Sequence, residues 1–245
     1  MINEIKNIKE KFKTMFDNSD VVLDIETFDF KTDKGIVRKI YNIGLLNSKT
    51  CQGLSFTIKE NIELLMNNLS KENCYKLKLY YNNLESSYLL SEDYIKTMFE
   101  NTTFKKLIGY NIVNFDIPIL VSNDYQIKTS NIIDLYFLVS QCLPKKYLKF
   151  CQENNLLTEK KNPSFNAEAV YKFIKQCSNF KERHTALYDC LIENTIYKYC
   201  KKRIKIANIT SKFNYLNIWK NYIKRFKKLN WKYNSYFKKI IEQGV

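Results

Sequence analysis

The stretch VVLDIETF, residues 21–28, contains the pattern on which the predicted fold and site depend. Val22 and Leu23 favour a β-strand. Asp24 and Glu26 stand two residues apart, so both carboxylates lie on one face of that strand. Among apolar neighbours the carboxylates repel each other and lose hydration, and a divalent cation, which binds carboxylate oxygens, removes that cost. The alternative is a pair of exposed strand acids, and the pair alone is weak evidence for either.

The segments on either side alternate between strand and helix patterns. Apolar residues at three- and four-residue steps predict an amphipathic helix over residues 2–16. Further strands are predicted over 36–46, 53–58, 106–110 and 131–135, and further helices over 60–100 (with a loop near 82–83), 115–122, 135–154, 166–177 and 184–205. Strands that alternate with helices indicate an α/β fold with helices on both faces of the sheet.

Two more acids and the single histidine of the chain complete a candidate site. Asp116 follows the predicted strand 106–110, where an N-cap or first-turn role is the alternative. Asp189 falls inside a predicted helix, and His184 stands five residues before it. A lone histidine is usually a surface or core residue, but one that follows a polar loop can reach the mouth of a site.

These residues come from a first strand, a helix start and a late helix. An α/β sheet brings such elements together at the carboxyl ends of its strands. Three or four carboxylates around one point imply two Mg²⁺ or Mn²⁺ ions, and such a pair suits in-line attack of water on a phosphodiester. His184 then suits the role of general base for that water.

Three motifs of the chain resemble those of the DEDDh family of 3′–5′ exonucleases, which have the ribonuclease H-like fold. That family includes proofreading subunits of bacterial polymerases, RNase T and oligoribonuclease. Its Asp-x-Glu-Thr matches residues 24–27, its Gly-His-Asn-x-x-x-Phe-Asp matches 109–116 with Tyr110 in place of His, and its His-x-Ala-x-x-Asp matches 184–189. The resemblance covers roughly residues 18–203. Each motif is unspecific alone, whereas three in this order are a strong signal.

The resemblance implies a ribonuclease H-like mixed five-stranded sheet with helices on both faces. It implies that Asp24, Glu26 and Asp189 hold the two metal ions, with Asp24 bridging them, and that Asp116 acts mainly through water bound to them. His184 would take the proton of the attacking water, and a 5′-mononucleotide would leave from a 3′ end.

The resemblance also implies substrate contacts. Thr27 would meet the terminal nucleotide through its backbone and Phe28 by stacking, while Asn111 and Phe115 would shape the pocket. Phe28 and the residue after it stand where the family usually has Thr-Gly, so this contact departs from the family pattern. Three further acids near the motifs are expected to be solvated or capping: Asp29, Glu182 and Glu193.

Most of the net charge of +15 lies at the carboxyl end of the chain. Residues 198–245 hold fourteen Lys and Arg against one acid, which leaves only +2 for residues 1–197. Aromatic residues recur there at helical spacing. A basic face of this kind attracts nucleic-acid phosphates, and six residues are the candidates: Lys220, Lys224, Arg225, Lys227, Lys228 and Lys232. The alternatives are packing on the main domain, docking of a polymerase or other replication partner, and an anionic membrane surface, which is the least favoured.

We therefore expect three parts: an N-terminal helix (1–17), an exonuclease domain (18–205) and a basic helical extension (206–245). The chain has seven cysteines without a Cys-x-x-Cys pair, and neither a secretory signal nor a long apolar run is present. These features indicate an intracellular, cytoplasmic protein without a membrane partner, and the bias toward Lys, Asn and Ile suggests an AT-rich genome, such as that of a phage or virus.

The expected function is metal-dependent 3′–5′ exonuclease activity on single-stranded or frayed ends. DNA is favoured over RNA by analogy with the proofreading branch. The alternatives are an RNA exonuclease of the same family, a non-catalytic nucleic-acid-binding or polymerase-accessory protein, and an endonuclease of the ribonuclease H type.

Overall fold

The computed structural model describes residues 2–33, 35–67, 74–75, 78, 87–129 and 131–203. Its helices within these ranges are α1 (Ile2–Phe16), α2 (Lys59–Asn67), α3 (Glu92–Glu100), α4 (Asp116–Ser122), α5 (Leu135–Cys142), α6 (Lys146–Glu153), α7 (Ala167–Lys175) and α8 (Ala186–Arg203). Its strands are β1 (Asp20–Thr32), β2 (Gly35–Asn47), β3 (Gly53–Ile58), β4 (Ser87–Leu90), β5 (Thr103–Phe104), β6 (Lys106–Gly109), β7 (Lys128–Thr129) and β8 (Ile132–Asp134).

Contacts divide the chain into two compact units, residues 1–197 and 198–245. The predicted extension, with its six candidate basic residues, lies outside the described residues. The three-part division therefore stays a prediction. No helix within the described ranges combines the length and apolar character that crossing a bilayer requires.

Six strands form the main sheet, in the order β4–β3–β2–β1–β6–β8. Strand β2 pairs antiparallel with both β1 and β3, and the other pairs are parallel. Strand β2 therefore runs against all the others, so the sheet is mixed. The short strands β5 and β7 pair separately. The predicted α/β class is confirmed.

The sheet has one strand more than the five that were expected. Strand β4 falls inside residues 60–100, which the sequence predicts as helical, and that part of the prediction is wrong. The segment pairs with the edge of β3, where the Ser87 hydroxyl lies 2.8 Å from Thr57 and 3.1 Å from Ser55. The ring of Tyr88 packs 6.1 Å from that of Phe56. Pairing at an available edge overrides local propensity here.

Both faces of the sheet carry helices. Ile25, Ile43 and Phe56 are paired across β1, β2 and β3 and so share one face. On that face Phe12 of α1 lies 5.8 Å from Phe56 and 5.8 Å from Phe99 of α3. The opposite face holds Asp24 paired with Gly44, and α8 packs there.

Helix α8 approaches β2 closely because residue 44 has no side chain. A Cβ at Gly44 would lie 2.3 Å from the carbonyl carbon of Ala186 and 2.4 Å from the amide nitrogen of Leu187. Both obstacles are backbone atoms, which cannot turn aside as a side chain can. The start of α8 is therefore fixed against the residue that pairs with Asp24.

The Gly44→Ala variant should lose stability by about 1–3 kcal/mol, because the added methyl group forces the start of α8 away from the sheet. Urea unfolding would measure the loss. Leu89→Ala, at a 58% exposed position of the same sheet, is the control and should change stability by about 0.5 kcal/mol or less. An unfolding midpoint of Gly44→Ala equal to that of the parent would contradict this packing.

Candidate functional site

Strand β1 and the start of α4 bring three of the predicted acids together. Asp24 and Glu26 pair with Gly44 and Asn42 on one face of the sheet, as the two-residue spacing predicts. Asp116 is the first residue of α4 and is 2% exposed. Its Oδ1 accepts the N–H of Ile25, the residue between the two strand acids, at 3.2 Å. The backbone of β1 therefore holds the third carboxylate beside the other two.

The loop that leads to Asp116 is clamped by Asp134 at the end of β8. Oδ1 of Asp134 accepts the N–H of Asn111 at 3.0 Å, and Oδ2 of Asp134 accepts the N–H of Val113 at 3.2 Å. Asn111 has a φ of 56°, in the left-handed region. Burial raises the pKa of Asp134 to about 6, although these backbone donors act in the opposite direction. No role was predicted for Asp134; its signal in the sequence was an acid near the end of the predicted strand 131–135.

The start of α8 delivers the last acid and the histidine. The N–H of Ala186 donates to Oδ1 of Asn42 at 3.2 Å, and this amide side chain also donates to the carbonyl of Phe56 at 3.0 Å. Because Asn42 pairs with Glu26, the bond ties α8 to the neighbour of that acid. His184, exposed and with a φ of 53°, lies in the loop just before the helix. Nothing in the sequence indicated the role of Asn42.

Glu26, His184 and Asp189 offer ligand atoms that all lie within 4.8 Å of one another. These three residues can hold a metal ion. Carboxylate oxygens suit Mg²⁺ and Mn²⁺, and an imidazole nitrogen is a ligand for several divalent metals. All three come from predicted motifs: Glu26 belongs to the first, and His184 and Asp189 belong to the third, about 160 residues later, so the fold brings distant parts of the chain to one point.

Buried carboxylate oxygens indicate whether a cation fits among these side chains. Oδ2 of Asp24 and Oδ1 of Asp189 are buried without a hydrogen-bond partner among the described residues. A buried ionised carboxylate is costly unless it is paired or coordinates a metal. The donor set and the unpartnered oxygens both fit a divalent cation.

Burial and, to a smaller extent, mutual repulsion raise the pKa values of these carboxyl groups. Burial raises the pKa of Asp24 well above its ordinary value. Four neighbouring carboxylates raise it further: Asp116, Glu193, Asp189 and Glu26. Burial likewise raises the pKa of Asp189 to about 10, and neighbouring carboxylates contribute to this shift. Crowded carboxyl groups of this kind are typical of functional sites, although structural networks also produce them.

Two acids that were expected to be solvated or capping belong to the cluster, and that prediction is wrong for both. Glu193 is 4% exposed, and its Oε1 accepts the N–H of Tyr110 at 3.1 Å. It lies four residues after Asp189, hence on the same side of α8, which was the available signal. Glu182 is half-buried and hydrogen-bonds to Asp189. Asp29, in contrast, is exposed and pairs with Arg38 at 2.7 Å, as expected of a solvated acid.

The expected stacking role of Phe28 is wrong, because its ring has no exposed surface. The register of β1 and β2 shifts between Glu26 and Thr27, and beyond this bulge Phe28 packs with Tyr41 and Leu65. A bulge redirects the side chains that follow it, and the sequence did not indicate one.

The three other candidate substrate contacts stay predictions. Thr27 is 8% exposed. The Asn111 side chain accepts a hydrogen bond from Asn114 at 2.8 Å. The Phe115 ring is half-buried and lies 5.7 Å from the guanidinium of Arg38.

No protein-family model matches the sequence, and no curated protein matches it significantly. The resemblance in the three motifs therefore stands without support from a matching relative. The case for a function rests on the geometry of the side chains.

In metal-free protein, Asp189→Asn should raise stability at pH 8.5 by about 1–2 kcal/mol. The folded-state pKa of Asp189, about 10, lies above its value in the unfolded chain, so folding opposes its ionisation. Stability from this group is complete below about pH 4 and is lost as the pH rises toward 10. The variant should therefore gain more at pH 8.5 than at pH 5.5.

Urea unfolding in EDTA at the two pH values would measure this difference. Asp29→Asn, which changes an exposed acid, is the matched control and should show little pH dependence. A loss of stability in Asp189→Asn at pH 8.5 would contradict the crowding of carboxylates.

Proposed function

We propose that this chain is a metal-dependent 3′–5′ exonuclease that releases 5′-mononucleotides from single-stranded or frayed 3′ ends. The observation that carries the proposal is the convergence of Glu26, His184 and Asp189 within 4.8 Å. Asp24 and Asp116 lie beside them, since their charges influence each other and Asp116 binds the N–H of Ile25. Four carboxylates and an exposed imidazole at one point suit phosphodiester hydrolysis.

The sheet supports a ribonuclease H-like fold, which the motifs imply. Five of its strands, β3–β2–β1–β6–β8, form a mixed sheet with β1 at the centre, and β4 is an addition at the β3 edge. The acids lie on the central strand, at the helix start that follows its neighbour β6, and on α8, which covers that face. Sites of open α/β sheets are found at such positions.

In the proposed mechanism Asp24, Glu26, Asp116 and Asp189 would hold two divalent ions, Mg²⁺ or Mn²⁺. When bound, such ions would supply a nucleophile at neutral pH and stabilise the charge that develops on the phosphate. His184 takes a proton from the attacking water as the water oxygen bonds to phosphorus. The bond between phosphorus and the 3′ oxygen of the preceding nucleotide then breaks, and that oxygen gains a proton from solvent.

The residues around the acids position them rather than react. The N–H of Ile25 donates to Asp116 and fixes its carboxylate, and the N–H of Ala186 donates to the side-chain oxygen of Asn42 and fixes the start of α8. His184, being exposed, is open to water and to a strand end.

The preference for DNA over RNA is part of the proposal and rests on analogy with proofreading exonucleases. A polymerase or other replication partner, bound through residues 206–245, is proposed on the charge of that segment alone. RNA exonuclease activity is the alternative on the same site.

The parent protein should release 5′-mononucleotides from an end-labelled single strand with Mg²⁺ or Mn²⁺ and none with EDTA. Asp24→Asn should lower the rate by about 10³ or more, because the variant loses a carboxylate that would hold the metal ions. Asp29→Asn, an exposed acid on the same strand, is the control. Matched DNA and RNA strands, single and double, would establish the preferred substrate.

Two outcomes of this assay would contradict the proposal. Internal cuts in place of a mononucleotide ladder would indicate an endonuclease. Strand binding without metal-dependent release would indicate a non-catalytic nucleic-acid-binding protein.

His184→Ala should lower the rate constant of hydrolysis by about 10²–10⁴, the usual contribution of a general base. It should leave the increase in melting temperature caused by Mn²⁺ largely intact, because the carboxylates remain. Single-turnover kinetics and thermal unfolding would measure the two effects. If the stabilisation by Mn²⁺ disappears in the variant, His184 is a metal ligand and not the base.

A further inference from the structure

Three aromatic rings, Tyr171, Phe180 and Tyr188, form a row that the proposed chemistry does not use; we name it the aromatic track. The ring centroids of Tyr171 and Phe180 are 4.5 Å apart, and those of Phe180 and Tyr188 are 6.4 Å apart with planes inclined by only 12°. All three side chains are half-buried, so each ring keeps some surface exposed to solvent.

The aromatic track begins at the candidate site. Tyr188 directly precedes Asp189 on α8, and Phe180 lies in the same loop as His184. Tyr171 belongs to α7. The row of rings therefore leads away from the carboxylate cluster, through the loop before α8, to α7.

Helix α7 uses a different side chain for the core. Phe173 is 4% exposed and packs 5.1 Å from Tyr147 and 5.3 Å from Phe150. Tyr171 does not share that burial and contacts Phe180 instead. The aromatic track is therefore not required to fill the core, as a fully buried cluster would be.

Exposed cations accompany the rings. The guanidinium of Arg183 lies 4.9 Å from the Tyr188 ring, and Nζ of Lys175 lies 5.9 Å from the Tyr171 ring. Lys181 is exposed in the same loop.

The acids of this region are engaged elsewhere. Glu182 hydrogen-bonds to Asp189, and Glu168 pairs with Lys172 at 2.5 Å. Of the charged side chains in the loop before α8, the basic ones are the exposed ones. The aromatic rings are suited to stacking on the bases of a nucleic acid, and the basic groups beside them are suited to binding its phosphates.

We propose that the aromatic track binds the unpaired bases of a single-stranded nucleic acid, with Lys175, Lys181 and Arg183 contacting its phosphates. The assignment rests on the proposed function, since it names the part of the substrate that precedes the 3′ end. Stacking on aromatic rings tolerates every base and requires bases that are not paired in a duplex. The track would thus select single strands and hold the nucleotides upstream of the one removed.

The test measures binding by the full-length Asp24→Asn protein in Mg²⁺. The probes are a fluorescent single strand and an abasic strand of equal length, which keeps the phosphates but lacks bases. Phe180→Leu, which keeps an apolar side chain, should bind the normal strand about tenfold more weakly and the abasic strand unchanged. Arg183→Gln should weaken binding of both strands and reduce the salt dependence.

Tyr88→Leu is the matched control, because Tyr88 is a half-buried tyrosine with Lys11 5.8 Å from its ring, on the edge strand β4. Its affinity for both strands should equal that of the unsubstituted background. Equal affinity of Phe180→Leu and the background for the normal strand would overturn the proposal. An equal loss on both strands would also overturn it, since the ring would then act only on the fold.

Hydrolysis separates this proposal from the proposed function. If the protein is an active exonuclease and Phe180→Leu leaves its KM for a long strand unchanged, the proposed role of the aromatic track is wrong, whereas the proposed activity is supported. Ring-dependent binding by a parent protein that releases no mononucleotide would support the track and overturn the activity. Strands of DNA and of RNA, used in parallel, would tell which nucleic acid is held.

Discussion

The structure depends on one constraint, which is that the fold keeps several carboxylate groups together with buried oxygens that have no hydrogen-bond partner among the described residues. Oδ2 of Asp24, Oδ1 of Asp189 and Oε2 of Glu193 all lack a hydrogen-bond partner among the described residues. Ionised groups so placed cost several kcal/mol unless protons or a cation relieve them. The raised pKa values of these groups have the same cause. The surrounding fold has to hold them together against that repulsion.

Backbone N–H groups hold these elements in place. The N–H of Ile25 fixes Asp116, that of Ala186 fixes the start of α8 against Asn42, and that of Asn111 fixes the loop before Asp116 against Asp134. Dipolar donors place a carboxylate without cancelling its charge, whereas a lysine or arginine in their position would compete with a metal ion. Gly44 has no side chain, and this absence lets the start of α8 pack close to β1 and β2.

The sequence predicted well the features that depend on local spacing. Asp24 and Glu26 share a strand face, Asp116 begins a helix, and Asp189 lies within one, as their spacing indicated. The sequence predicted poorly the features that depend on contacts with distant residues. Phe28 is buried because a bulge redirects it, and β4 is a strand because β3 has an edge to pair with. Glu193 joins the acids because α8 faces the sheet, and only its position four residues after Asp189 indicated this in the sequence.

Helix α8 links the candidate metal site to the aromatic track. Its inward side carries Asp189 and Glu193, and the neighbouring position carries Tyr188, whose ring begins the track. Groups on one rigid helix keep a fixed separation, more precisely than groups on separate loops. A strand stacked on Tyr188 would therefore present its terminal phosphodiester at a set distance from Asp189. Under the proposed function, the contacts of Gly44 and Asn42 with the start of α8 would position the substrate as well as the acid.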